Sequence, residues 1–205
     1  MDLILIRHGL PERDDASSDP PLTVRGHEQA RRAAAWLSEE RIDAIYSSPM
    51  VRARQTAEAY AALCGLPITE EEGIVEFDRG SGKYVPMEEL KRTDYAAWLA
   101  FVQGGYDADI SEFSHNVVTA LEAVVAANKG KRVAVFCHGG VVNVWTAHVL
   151  GMEARLFFEP VYTSLHRYLC ASSGQRNILS LNETAHLRGM AQDDLPEIAR
   201  EVAKH

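Results

Sequence analysis

The sequence predicts an α/β protein, with a mixed, mostly parallel sheet flanked by helices and a small insertion over the ligand crevice. Three observations predict it. Two separate apolar runs, Leu3-Ile4-Leu5-Ile6 and Val133-Ala134-Val135-Phe136-Cys137, each lead into a His-Gly pair, His8-Gly9 and His138-Gly139. Runs this short, aliphatic or β-branched and closed by glycine, read as strands buried on both faces, as in a parallel sheet. Between and after them, helical patterns alternate with further short apolar runs, which is the order of an α/β sheet.

Each element has its own signal. After the first strand comes a polar, proline-bearing loop from Leu10 to Pro21. A helix then runs from Thr23, a candidate N-cap, to about Glu40, with Ala30, Ala33, Ala34 and Leu37 on one face for packing against the sheet. Ala44-Ile45-Tyr46 is a short strand and Ser47-Ser48-Pro49 a turn. Pro49 suits the first turn of a helix, because its missing donor is unpaired there anyway. That helix continues to Cys64 and stops at Gly65. A strand near Pro67-Ile68 and the acidic run Glu70-Glu71-Glu72 come next.

Residues 73 to about 113 are the least regular. They carry Gly80, Gly82, Pro86, Gly104 and Gly105, and one aromatic helix through Tyr95, Trp98, Phe101 and Val102. The stretch from about 77 to 113 reads as a cap-like insertion within one domain spanning 1–205. A helix from Ser111 to Asn128 leads into the second His-Gly strand, and Val141–Leu150 is a helix ended by Gly151. Ser164–Cys170 and Asn177–Leu181 flank a Ser172-Ser173-Gly174 turn as an antiparallel edge hairpin. Leu195, Ile198 and Val202 mark a short amphipathic tail helix.

The bulk numbers exclude several classes. At 205 residues the chain can bury a sizeable core, and a net charge of −8 disfavours nucleic acid and membrane surfaces as partners. No apolar run approaches the roughly 20 residues that span a bilayer, and Leu3–Ile6 is too short for a signal-peptide core. Cys64, Cys137 and Cys170 are odd in number and widely spaced, which argues for a reducing, cytoplasmic setting and against a disulfide framework or structural zinc.

Strands of an open α/β sheet deliver their next residues to the carboxyl edge, where such folds bind ligands. His8 and His138 are thereby brought to one crevice with Arg7 beside the first: a site for an anion, with a nucleophile in it. Either histidine alone is more simply a hydrogen-bonded structural residue; the pair with an arginine is not. Arg52, one turn into the helix after Tyr46, adds a charge where a helix N-terminus offers unpaired amides. Arg54 instead pairs with Glu58 at helical spacing. Glu76 sits in Ile74-Val75-Glu76-Phe77, and a carboxylate among apolar neighbours tends toward the raised pKa of a general acid.

Four motifs then coincide in order and spacing. Arg7-His8-Gly9, Leu22-Thr23-x-x-Gly26-x-x-Gln29-Ala30, Ser47-Ser48-Pro49-x-x-Arg52-Ala53-x-Gln55-Thr56-Ala57 and His138-Gly139-Gly140 together resemble the histidine phosphatase superfamily. The late Leu181-Asn182-Glu183-Thr184-Ala185-His186-Leu187 resembles that superfamily's closing segment. The resemblance implies a phosphoglycerate mutase-like three-layer sandwich and a metal-independent phosphatase acting on a small phosphorylated metabolite without a cofactor. It implies that His8 takes the phosphoryl group, that Arg7, Arg52, His138 and the Gly139 amide hold its oxygens, and that Glu76 protonates the leaving oxygen and then activates water. Asp78 is a second candidate acid.

The chain departs from the pattern at Asp14, where many members carry a phosphate-contacting asparagine. A carboxylate there is expected to point away, with Thr23 or a backbone amide in its place. The basic cluster by which mutases hold phosphoglycerate is not evident between 77 and 115, which favours a phosphatase over a phosphoglycerate or phosphosugar mutase. A catalytically idle phospho-ligand or partner-binding member is the reading that Asp14 alone would support. A metal site built on His8, His138 and Glu76 is disfavoured because Arg7 and Arg52 would repel a dication. His27 and His115 are expected to be exposed, His148 helical and His166 structural; His186 is expected to cap the sheet edge. Lys83, Tyr84, Lys91, Arg92, Trp98 and Tyr106 could contact a leaving group. The tail helix and the late hairpin are surfaces on which a homodimer could form.

Overall fold

In the computed structural model, which describes residues 1–102 and 110–190, the chain begins with β1 (Asp2–Arg7), α1 (Val24–Leu37), β2 (Ala44–Ser47), α2 (Val51–Cys64) and β3 (Ile68–Glu70). It continues through α3 (Met87–Thr93), α4 (Tyr95–Val102), α5 (Ile110–Ala127), β4 (Arg132–Cys137), α6 (Gly139–Leu150), β5 (Leu165–Cys170) and β6 (Arg176–Glu183). Gly104, Gly105, Tyr106, the side chain of Phe101 and the tail carrying Leu195, Ile198 and Val202 lie outside the described residues.

The strands form one sheet in the order β3-β2-β4-β1-β5-β6. The first four run parallel, and β5 and β6 close one side as the antiparallel hairpin. Side-chain alternation along the strands sorts the core into two layers. Leu3, Leu5, Val133 and Val135 pack with Val117, Leu121, Val124 and Trp145 of α5 and α6. Ile4, Ile6, Ala134 and Phe136 pack with Ala34, Leu37, Ala57 and Tyr60 of α1 and α2 on the opposite face. The result is helix, sheet, helix. Each fully buried aliphatic side chain contributes roughly 1.5–3 kcal/mol, so the central strands anchor the fold.

Register, not composition, builds the crevice. In the parallel pair of β1 and β4, Arg7 stands opposite Cys137, so His8 and His138 come next, side by side. In the pair of β2 and β4, Ser47 stands opposite Phe136, which puts Ser48 at the same edge. The His8 amide donates to the Cys137 carbonyl (3.0 Å) and the Ser48 amide to that of Phe136 (2.9 Å), locking the three strand ends together.

Close approach explains one pair of glycines. A Cβ on Gly9 would lie 2.6 Å from the Gly26 carbonyl oxygen, and one on Gly26 only 2.1 Å from that of Leu10. The loop after β1 therefore lies directly on the first turn of α1.

Two helix starts differ from the sequence reading. Met50, not Pro49, precedes the first residue of α2, because the Asp19 carboxylate accepts from the Val51 amide (2.9 Å) and caps the helix from another loop. The helix after β4 starts two residues before Val141, at Gly139, with His138 as its cap. An additional short helix, α3, opens after Pro86.

Candidate active site

At the carboxyl edge of the sheet lies a cavity of about 530 Å³, within the range of small-molecule sites. Arg7, His8, Arg52, Glu76, Asp78 and Gly139 all line it, as the strand-end argument requires.

His8 is held in one protonation form by its two ring nitrogens. Nδ1 lies 2.8 Å from the Gly9 carbonyl, which can only accept, so Nδ1 carries the proton. Nε2 accepts from the Arg52 Nε at 3.3 Å, so its lone pair faces the guanidinium. Burial first, then the charges of Arg52 and Arg7, hold the imidazole pKa well below its ordinary 6.5. The imidazole is therefore neutral and nucleophilic at neutral pH.

Both arginines are buried and held fast. The Arg7 guanidinium donates to the Pro160 carbonyl and lies 3.9 Å over the Tyr162 ring. The fully buried Arg52 donates to the Ser18 carbonyl (2.9 Å) and to Asp78 (3.2 Å), with Asp19 at 3.6 Å. What α2 gives the site is this side chain. Its leading amide at Val51 is already taken by Asp19, which corrects the expectation of free amides there.

His138 sits just behind the cavity wall, fully buried, with its ring centroid 5.2 Å from that of His8. Its Nε2 is bonded to the Ser48 hydroxyl (2.8 Å), and its Nδ1 is a buried nitrogen with no partner among the described residues. Burial and the neighbouring Arg52, His8 and Arg7 keep this imidazole neutral too, well below its usual pKa.

In the same cavity, Glu76 accepts from the Gly140 amide (2.9 Å) and from the Phe77 amide (3.2 Å). Burial, reinforced by the Asp78 carboxylate, pushes its pKa up to about 7 against the pull of those amides and of Arg52. Asp78 is also raised by burial, but it is ion-paired to Arg52, which favours its charged form. Of the two candidate acids, Glu76 is the one free to hold and release a proton near neutrality.

Gly140 makes that placement feasible. A Cβ there would lie 2.2 Å from the Glu76 Oε1. Gly140→Ala is expected to push the carboxylate aside and lower turnover by about 10²-fold, since displacements near 1 Å can cost that much. Steady-state kinetics together with an unchanged melting transition check it.

One expected position lies elsewhere. Thr23 does not line the cavity: its hydroxyl accepts from the Gly26 amide (2.8 Å) and donates to the Leu10 carbonyl (3.0 Å), which makes it the N-cap of α1. Thr23→Ala is expected to cost about 1 kcal/mol in urea unfolding while leaving the Michaelis constant in place. Asp14 does point away, its Oδ1 accepting from the amides of Ala16 (2.8 Å) and Ser17 (3.1 Å) in its own loop.

The remaining histidines are placed by their packing. His115 is exposed and His27 half-buried. His148, on α6, lies 3.4 Å from Glu122. His166 is buried against Ser164 (2.8 Å), which forces its pKa down to about 3. His186 is pushed by burial to about 4, and its Nε2 lies 3.1 Å from the Thr163 hydroxyl. The Thr163 amide in turn reaches the carbonyls of Arg7 (3.1 Å) and His8 (3.2 Å), so His186 braces the loop that carries His8 from outside the cavity.

Sequence reasoning gave no separate role to Ser48, Thr56 or Asn143. The Thr56 hydroxyl accepts from the Gly9 amide (3.0 Å) and donates to the Arg52 carbonyl (2.7 Å), tying the residue after His8 to the arginine. Thr56 and Ser48 both fall inside the motif around Arg52, which was the available signal. Asn143, one turn into α6, had none.

Phosphoserine phosphatase 1 of Hydrogenobacter thermophilus is 30% identical over 199 residues, covering 90% of this chain and 93% of that protein. The crystal structure of a phosphoserine phosphatase of Entamoeba histolytica in complex with 3-phosphoglyceric acid aligns with a TM-score of 0.72 at 27% identity, over 91% of this chain and 98% of that one. Bacillus stearothermophilus YhfR shares the fold, with a TM-score of 0.76 at 23% identity over 91% and 99% of the two chains. Residues 3–184 match the family signature of branch 1, and the chain belongs to the histidine phosphatase superfamily.

Proposed function

We propose that this protein is a phosphatase that hydrolyses a small phosphorylated metabolite through a phosphohistidine on His8. The carrying observation is one cavity lined both by a neutral imidazole, with its Nε2 lone pair beside Arg52, and by a carboxylic acid poised near pH 7. The relative at 30% identity named a phosphoserine phosphatase supports the same reaction class.

In the first step Nε2 of His8 attacks phosphorus, the P–O ester bond breaks, and the Glu76 proton passes to the leaving alcohol oxygen. Arg52 exchanges its contact with Nε2 for one with a phosphoryl oxygen, and Arg7 and the Gly139 amide hold the others; His138, expected to hold one as well, lies behind the wall and instead backs the His8 ring at 5.2 Å. Charge-assisted bonds of this kind are worth roughly 1.5–3 kcal/mol each. In the second step water gives a proton to the Glu76 carboxylate as its oxygen attacks phosphorus. The P–N bond then breaks, phosphate leaves, and both residues return to their starting forms. The two guanidiniums neutralise the phosphoryl charge, so no step calls for a metal.

The insertion from about 77 to 113 is read as a cap on a single domain spanning 1–205, a reading supported by its residues between Phe77 and Trp98, which supply one wall of the cavity. A cytoplasmic setting fits the free thiols of Cys64, Cys137 and Cys170. No helix among the described residues is long and apolar enough to cross a membrane. A homodimer would use the outer strand β6, where Leu179 is 59% exposed, and light scattering decides it.

The test is phosphate release from a panel of phosphate monoesters in the presence of EDTA. Turnover that survives the chelator, with free phosphate appearing faster than any isomerised ester, is the expected result. Faster isomerisation would make the protein a mutase, and loss of activity in EDTA would make it a metal enzyme.

A further inference from the structure

Beyond the phosphoryl end, the cavity is walled by aromatic and aliphatic side chains, among them Phe77, Tyr84, Leu90, Trp98 and Phe157. We propose that this slot selects phosphate monoesters whose alcohol carries an apolar, aromatic-sized group over compact charged esters. The inference rests on the phosphatase reading for its orientation, because His8, Arg7 and Arg52 fix where the phosphoryl group sits.

The slot is built rather than incidental. Asn143 is 2% exposed, and its side-chain amide donates to the carbonyls of Gly139 (2.9 Å) and Phe158 (3.0 Å). Its Oδ1 accepts from the amides of Phe157 (2.9 Å) and Phe158 (3.1 Å). Both ends of that amide are spent on backbone, so Asn143 pins the Phe157 loop to the first turn of α6 beside Gly139. On the cap side, Phe77 packs edge-on against Phe113 (5.7 Å between centroids). Trp98 is backed by Tyr95 at 5.3 Å and by the Lys91 ammonium at 4.7 Å. Tyr84 is 6% exposed, and its ring lies 4.8 Å from the Arg52 guanidinium, which places aromatic surface directly next to the phosphate clamp.

Charge points the same way. Arg7 and Arg52 are buried and answer the phosphoryl dianion, whereas Lys83 and Arg155, the other basic residues on the wall, are exposed. A second anionic group on the substrate would meet only these solvated charges, which give little. It would also lie near Asp78 and Glu159 on the same wall. An apolar group instead removes its own surface and the slot's from water.

The test compares phenylethyl phosphate with phosphoserine, both esters of primary alcohols, in wild type and Trp98→Ala. Calorimetric binding of their phosphonate isosteres runs in parallel and needs no turnover. The expected result is a preference of about tenfold or more for the aromatic member in both kcat/KM and Kd, the scale on which apolar pockets discriminate. Trp98→Ala is expected to lower that ratio severalfold, and Phe157→Ala to do the same should the first variant fold poorly. Equal or tighter binding of the phosphoserine isostere overturns the inference whether or not the enzyme turns over. Preferential aromatic binding without any phosphate release leaves the slot standing and overturns the phosphatase reading instead.

Discussion

His8→Ala is expected to lower phosphate release by about 10⁴-fold or more, the scale on which covalent enzymes lose activity with their nucleophile. The size of the effect comes from what the side chain is asked to do. Only an uncharged nitrogen can attack phosphorus, and the structure secures that form twice. The Gly9 carbonyl accepts a hydrogen bond from Nδ1–H, and burial beside two guanidiniums discourages a second proton. Alanine removes the attacking atom while leaving Arg7, Arg52 and the cavity in place, so the variant is expected to bind phosphate esters without consuming them. Stability should shift by about 1–3 kcal/mol, because the variant gives up the hydrogen bond to the Gly9 carbonyl and the one from the Arg52 guanidinium. Rapid quenching with a radiolabelled ester supplies the second readout: wild type shows an acid-labile, base-stable phosphoenzyme, and the variant shows none. A labelled intermediate that persists in His8→Ala would move the nucleophile to another residue.

The chain's alternation of apolar runs is why the sheet and the two histidine-bearing strand ends were legible in the sequence. Leu3–Ile6 and Val133–Cys137 are too apolar and too short to be anything but central strands, and a parallel pair must end at one edge. Glu76 was legible for the same kind of reason, a carboxylate surrounded by residues that have no use for one. What the sequence hid was which loop and side-chain groups bond across a long separation. Asp19 caps a helix 32 residues away, and Glu76 finds its amide donor 64 residues away at Gly140. Neither partner has a local pattern that names the other. Thr23 shows the opposite failure: its N-cap signal was right, and assigning it a phosphate as well overlooked that one hydroxyl was already donating and accepting at the head of α1. The Ser48 bond to His138 required the register of β2 against β4, which no periodicity encodes.

Glu76→Gln tests the acid. On an alkyl phosphate the variant is expected to lose about 10²–10⁴-fold in kcat/KM, the usual worth of a positioned proton donor. On p-nitrophenyl phosphate the loss should be far smaller, since that leaving group departs as a stable anion and needs no proton. A merely structural role for Glu76 would depress both substrates alike. The pH profile sharpens the distinction. With a pKa of about 7, Glu76 is protonated on the acid side, so kcat/KM for the alkyl ester is expected to hold below pH 7 and fall roughly tenfold per unit above it. His8 adds no opposing limb near 6.5, because its own pKa is held well below that value. Glutamine cannot titrate, so the alkaline limb should vanish with the activity. The same shift carries a stability sign. The folded protein holds the Glu76 proton more tightly than the unfolded chain, so this residue's contribution is full below about pH 4.5 and is lost as pH rises through about 7. Wild type is therefore expected to lose urea resistance between pH 5 and pH 8, and Glu76→Gln to lose less, so a variant poorer than wild type at the chemistry is relatively the more robust at alkaline pH. The opposite order would mean that the carboxylate is charged and stabilised in its pocket, and that the proton for the leaving alcohol comes from elsewhere, with Asp78 the nearest source.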